Sequence, residues 1–160
     1  YDGKYYQLVR ANCDPKPLQS PRPPIWIGGG GEQLTLRVVA QHADYSNFGG
    51  SAEEFSRKVE ILKGHCLKVG RDESEIKKTT SGEILIRDTE KELREYQIAS
   101  GRGDNFEQWS NANFVGTPDQ VAERIAEFVE RGCSGFVPWC VDYPDKQTLT
   151  EFAKIMKTYR

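Results

Sequence analysis

The chain lacks any apolar run approaching the ~18 residues that a membrane-spanning helix needs. It also lacks a basic block: 22 Lys and Arg stand against 24 Asp and Glu, for a net charge of −2. Nucleic acid and membrane surfaces are therefore not expected partners, since each needs a concentrated positive patch. No basic stretch followed by an apolar run opens the sequence, so no secretion signal is read there. Position 1 is not Met, and Tyr1-Asp2-Gly3-Lys4 reads as a start partway through a longer protein. Cysteine is sparse and unpatterned. Cys13, Cys66, Cys133 and Cys140 form no CxxC pair, and with two histidines no zinc spacing fits. The expectation is a cytoplasmic protein with reduced thiols and no metal. The adjacent His65-Cys66 lies inside a helical pattern and reads as packing.

What is present is the composition of one globular domain: 160 residues, 37% apolar and 29% charged. Residues 1–23 form an extended arm in which Pro15, Pro17, Pro21 and Pro23 forbid helix, with a short strand expected at Lys4–Val9. Residues 24–160 alternate. Strand Pro24–Ile27 ends in four glycines, and helix Glu32–Ala43 follows. Strand Asp44–Phe48 leads to a capping box, Ser51 with Glu54, that opens a helix running to Gly70. Its apolar stripe is Phe55, Val59, Leu62, Cys66 and Val69. Strand Thr79–Arg87, helix Thr89–Ala99 and a loop over Ser100–Phe114 come next. A second capping box, Thr117 with Gln120, and Pro118 at the first helical position open the next helix. That helix buries Val121, Ile125, Phe128 and Val129 and stops at Gly132. Strand Ser134–Val141 and helix Asp145–Tyr159, with Leu149, Phe152, Ala153 and Met156 inward, complete the chain.

Four strands alternating with helices predict an α/β protein with a parallel sheet and right-handed crossovers. Such a set makes either a small open sheet or half of a (β/α)8 barrel, which takes ~250 residues in full. In both, ligands bind beyond the C-terminal strand ends.

That rule selects Gly28-Gly29-Gly30-Gly31-Glu32, between a strand and a helix. Glycines let backbone approach a ligand and free its N–H groups, and a helix start adds partial positive charge, so the pattern suits an anion or phosphate. Thr35 adds a hydroxyl. The pattern is not the dinucleotide fingerprint, because Gln33 stands where a glycine is needed, and no Gly-Lys-Ser/Thr of a P-loop follows. A glycine turn without ligand is the competing reading. Glu32 either stabilises the helix start or meets a ligand hydroxyl. Asn47 and Phe48 either contact a cofactor or cap a turn, and Trp139 either stacks on a flat ligand or packs as a core or rim aromatic. No nucleophile–base pair is visible, His42 lies at the far helix end, and the catalytic residues stay unassigned. Arg102-Gly103-Asp104 matches an adhesion tripeptide by chance alone.

Taken in order, Asp2-Gly3-Lys4-Tyr5-Tyr6, Pro15-Lys16-Pro17, Pro23 through Gly31, Leu36-Arg37-Val38-Val39-Ala40, Ala43-Asp44, Asn47, Val69-Gly70-Arg71-Asp72 and Gly116-Thr117-Pro118 with Ala122-Glu123-Arg124 and Gly132 are similar to one family. The chain resembles the luciferase-like flavin and deazaflavin monooxygenases and reductases across nearly its whole length. The resemblance implies the C-terminal half of a TIM-type (β/α)8 barrel, with strands five to eight here. It implies cofactor-phosphate binding after the fifth strand, at Gly30, Gly31, Glu32 and Thr35. It implies a variable substrate-side segment over roughly Asp88–Val115. The glycine stretch is most similar to members that use coenzyme F420, which implies hydride transfer to or from a small organic substrate by a homo-oligomeric parent protein. FMN with molecular oxygen is the alternative within the family. A non-catalytic α/β module that pairs through open sheet edges is the alternative outside it.

Overall fold

Short apolar runs bounded by glycine and polar turns become the strands. β1 (Trp26–Gly28), β2 (Tyr45–Asn47), β3 (Lys77–Ile86), β4 (Phe114–Gly116) and β5 (Cys133–Cys140) join in one sheet whose pairings are all parallel, in a computed structural model that describes residues 1–159. β3 is the centre. β2 and β5 both pair with it at Lys78 and Thr79, and β4 and β5 both pair with it at Ile84. A strand has two edges, so β5 fills one and β2 and β4 share the other at opposite ends. β1 continues the sheet beyond β2.

The helices are α1 (Thr35–His42), α2 (Ala52–Val69), α3 (Glu90–Ala99), α4 (Phe106–Asn111), α5 (Pro118–Glu130) and α6 (Gln147–Met156), with 3-10 turns at Glu73–Glu75 and Lys157–Tyr159. Both expected capping boxes form. Ser51 Oγ accepts from the Glu54 N–H and Glu54 Oε2 accepts from the Ser51 N–H, and Thr117 and Gln120 repeat the exchange. Thr89 and Glu92 make a third box at α3.

Helices α1, α2, α5 and α6 lie on one sheet face. Ile84 and Ile86 point into them and share a core with Leu36, Phe48, Phe55, Val121, Ile125 and Phe128. The rings of Phe48, Phe55, Phe128, Phe114 and Phe136 form a contact chain through this layer. The opposite face carries Trp26, Tyr45, Thr79, Glu83, Val137 and Trp139, since alternate strand residues share a face. α3 and α4 cover its far end through Leu85, Leu93 and Val115. The rest is open, with Trp26 51% and Trp139 55% exposed.

Several expectations are corrected. α1 begins at Thr35, and Glu32 lies in the turn before it. Lys4–Val9 holds only one isolated bridge, Asp2 with Gln7. The stretch read as loop contains α4 and runs into β4, so the sheet has five strands rather than four. β4 has only three residues, too few for a period, and distant groups hold it. On α6, Leu149 and Ala153 face outward, while Thr148, Phe152, Ile155 and Met156 face inward. The reason is polar: Thr148 Oγ1 donates to Asp142 Oδ2 at 2.6 Å and accepts from the Ile86 N–H at 3.2 Å. A buried hydroxyl sets the helix rotation, and apolar spacing cannot report it. Val69 and Val129 sit at the margins of their stripes and stay partly exposed.

Candidate functional site

The C-terminal ends of β1 and β2 lie side by side, Gly28 opposite Asn47. The Gly29 N–H donates to the Asn47 carbonyl at 2.8 Å, and Gly29 holds a φ of +117°, which a side chain would strain. Past it, the N–H groups of Gly30, Gly31 and Glu32 reach no backbone carbonyl among the described residues. The space beside them is tight. A Cβ on Gly30 would stand 2.6 Å from Lys58 Nζ, and one on Gly31 would stand 2.8 Å from Thr35 Oγ1. Free N–H groups, a hydroxyl and a cation around small backbone suit an anionic group of phosphate size. α1 adds to this: no side chain caps it, and no acidic residue lies in its first turn.

The other expected residues fall in two groups. Gly28 has open space beside it, so it leaves room at the mouth of the loop. Glu32 is turned aside. Its carboxylate pairs with Arg57, and its carbonyl meets His65 Nε2 at 2.8 Å. Asn47 points to the open face, but its Nδ2 donates to Thr79 Oγ1 at 2.9 Å, so it is anchored rather than free. Phe48, weighed as a cofactor contact, is 2% exposed and belongs to the core. Trp139 stands exposed on the open face, in register with Glu83. His42 is exposed in the last turn of α1, away from these groups.

Two features escaped the sequence. Lys58 lies three residues after Phe55 and four before Leu62, hence on the flank of the buried stripe of α2. Its ammonium donates to the Gly49 carbonyl at 3.3 Å and lies 5.8 Å from the centre of the Phe48 ring. The signal for it was a lysine next to an apolar stripe behind a glycine pair. The second feature is Glu83, which stands in β3 just before the apolar Ile84-Leu85-Ile86. Its carboxylate accepts from Arg102 Nε at 3.0 Å and Trp109 Nε1 at 2.6 Å. The Arg102 guanidinium lies between the Tyr96 and Trp109 rings, 5.6 Å from each centre. Glu83 therefore fastens the segment after β3 over the open face.

Burial pushes the Glu83 carboxyl up, but the hydrogen bonds from Arg102 and Trp109 and the charge of Arg102 outweigh it, leaving the group below its ordinary value. A carboxylate held low stabilises the fold above its unfolded pKa and loses that contribution as pH falls through the folded one. Unfolding measured from pH 7 downward should show the wild type losing stability relative to Glu83→Gln below about pH 4.5, the ordinary value for this group. Parallel curves for the two proteins would mean the contact carries no proton linkage.

The comparisons agree with this architecture. Residues 1–113 match the family model described as luciferase-like monooxygenase. An FMNH2-dependent dimethylsulfone monooxygenase of Pseudomonas putida is 27% identical over 158 residues, covering 78% of this chain and 43% of that protein. An F420-dependent secondary alcohol dehydrogenase, solved with an F420-acetone adduct, superposes with a TM-score of 0.84 at 12% identity, over 100% of this chain and 55% of that one. The coenzyme F420-dependent tetrahydromethanopterin reductase of Methanopyrus kandleri gives 0.71 at 18% identity, over 98% and 55%. The EDTA monooxygenase of Chelativorans sp. BNC1 gives 0.71 at 19% identity, over 99% and 49%. The chain thus spans about half the length of the proteins it matches. These neighbours are TIM-barrel enzymes, and the five-stranded sheet with its helices corresponds to half of such a barrel. No helix among the described residues is long and apolar enough to cross a membrane. With more than half its residues matched by the family model and its fold matched throughout, the chain belongs to the luciferase-like monooxygenase family.

Proposed function

We propose that the polypeptide carrying this chain is an oxidoreductase that moves hydride between coenzyme F420 and a small organic substrate, with the cofactor phosphate seated at Gly28–Gly31. The observation that carries the reading is the glycine strand end, whose N–H groups lack backbone partners and whose neighbours are Thr35 and Lys58. Similarity of the glycine stretch to F420-using members supports the choice of cofactor. When bound, the cofactor supplies the redox chemistry; the chain binds, orients and excludes water. Gly30 and Gly31 offer N–H donors to the phosphate, and Thr35 Oγ1 offers a hydroxyl. Asn47, tied to Thr79, fixes the neighbouring strand end. Trp139 lends a flat face to the open side, and the Asp88–Val115 segment closes over the substrate side.

A second reading, reduced FMN with molecular oxygen, is favoured by the Pseudomonas putida relative, whose name states dependence on FMNH2. Both readings use the same glycine cradle. Gly30→Asp in the full-length protein adds bulk and negative charge where the phosphate would sit, and should weaken cofactor binding tenfold or more in an equilibrium titration. Unchanged affinity would sink the phosphate assignment. Parallel titrations with F420 and FMN decide between the cofactors.

A further inference from the structure

Arg57 and Lys58 are consecutive cations on α2, and they face different fates. Arg57 is neutralised by Glu32. Lys58 is half-buried, forms no ion pair among the described residues, and gives one of its three donors to a carbonyl. A partly buried ammonium without a counter-charge is unfavourable unless something supplies that charge. Its position is between two glycine turns. Nζ reaches the Gly49 carbonyl after β2 and lies where a Gly30 side chain would begin after β1. A side chain at residue 30 would compete with the lysine for that space.

We propose that Lys58 supplies the charge that selects a phosphate monoester or diester at the Gly28–Gly31 loop. The loop gives the site its shape, and the α2 lysine gives it its sign. This rests on the cofactor-phosphate reading and adds a residue from a different element. N–H donors alone favour an anion weakly and donate to a neutral oxygen too, whereas a charge-assisted contact is roughly twice as strong as a neutral one. Phosphate discrimination should therefore follow Lys58.

The test is a set of equilibrium titrations of the full-length protein with FMN against riboflavin, and with F420 against its phosphate-free chromophore. Wild type should bind the phosphorylated member of the preferred pair more tightly. Lys58→Met, which keeps the stem and removes the charge, should lower that affinity about tenfold and leave the phosphate-free affinity unchanged. Lys58→Arg should retain most of the discrimination. If Lys58→Met keeps the wild-type gap, Lys58 is overturned while the cofactor reading stands. If wild type shows no gap, or binds neither pair, the cofactor-phosphate reading fails and this inference fails with it. Should Lys58→Met not fold by circular dichroism, Lys58→Gln is read the same way. The wild-type gap must also shrink as KCl is raised, because a partly exposed charge is screened; a salt-independent gap overturns the proposal.

Discussion

Replacing Phe55 with alanine is expected to cost about 3–5 kcal/mol of unfolding free energy, the range for truncating a buried aromatic. Phe55 is 0% exposed. Its ring centre lies 5.0 Å from that of Phe48 and 5.5 Å from that of Phe128. Those two rings come from the turn after β2 and from α5, so Phe55 ties α2 both to the turn that precedes it and to a helix far along the chain. Truncation removes the transfer energy of the ring and leaves a void among rigid neighbours that cannot collapse into it. Total stability of a domain is about 5–15 kcal/mol, so the variant should sit near its unfolding threshold at 25 °C. Urea unfolding of the full-length protein checks this, and Phe55→Leu, closer in volume, should lose much less. A loss under about 1 kcal/mol for alanine would mean the ring chain is not the core of this half of the molecule.

Arg87→Met is expected to be comparably damaging, about 3–5 kcal/mol, for an electrostatic reason. Arg87 Nη1 donates to Asp142 Oδ2 at 2.9 Å, to Thr148 Oγ1 at 3.2 Å and to the Ile86 carbonyl at 2.8 Å. The Asp142 side chain is 2% exposed and that of Arg87 is 11%. Removing the guanidinium strands a carboxylate away from water with only the Thr148 hydroxyl on the same oxygen. Replacing both partners with apolar groups is a different change, since a buried pair is often no better than well-packed hydrophobes. The double variant Arg87→Met with Asp142→Leu should therefore recover most of the loss, and a double-mutant cycle reads the coupling directly. Additive losses would show that the two groups act independently and that the ion pair does not organise the β3–α6 corner.

Local chemistry made much of the architecture legible. Ser51 with Glu54 and Thr117 with Gln120 each announce a helix start within four residues, because the partners they need are adjacent in the chain. The parallel sheet followed from alternation alone. β4 was hidden because its support is distant: Ile84, Leu85 and Ile86 of β3 pair with its three residues, and just before it Asn113 Oδ1 accepts from the Glu83 N–H at 2.9 Å. The rotation of α6 was hidden because a threonine hydroxyl, not an apolar side chain, is its buried anchor. At the candidate site the glycine run was legible, since unusual backbone needs unusual composition. Lys58 and Glu83 were not. A cation on the flank of an apolar stripe and a carboxylate within a strand become meaningful only once the neighbouring elements are placed.

β3 works as a ruler for the pocket. Thr79 and Glu83 lie on the same face of one strand, four residues or about 13 Å apart. One grips Asn47 beside the glycine turn; the other grips the segment carrying Arg102 and Trp109. The two halves of the proposed pocket are thus spaced by a stiff rod that is hydrogen-bonded along both edges, not by loops. Lengthening or rewriting the segment past residue 87 therefore leaves the other end of the rod where it was. A lineage built on this arrangement can exchange what it recognises at one end while keeping what it holds at the other.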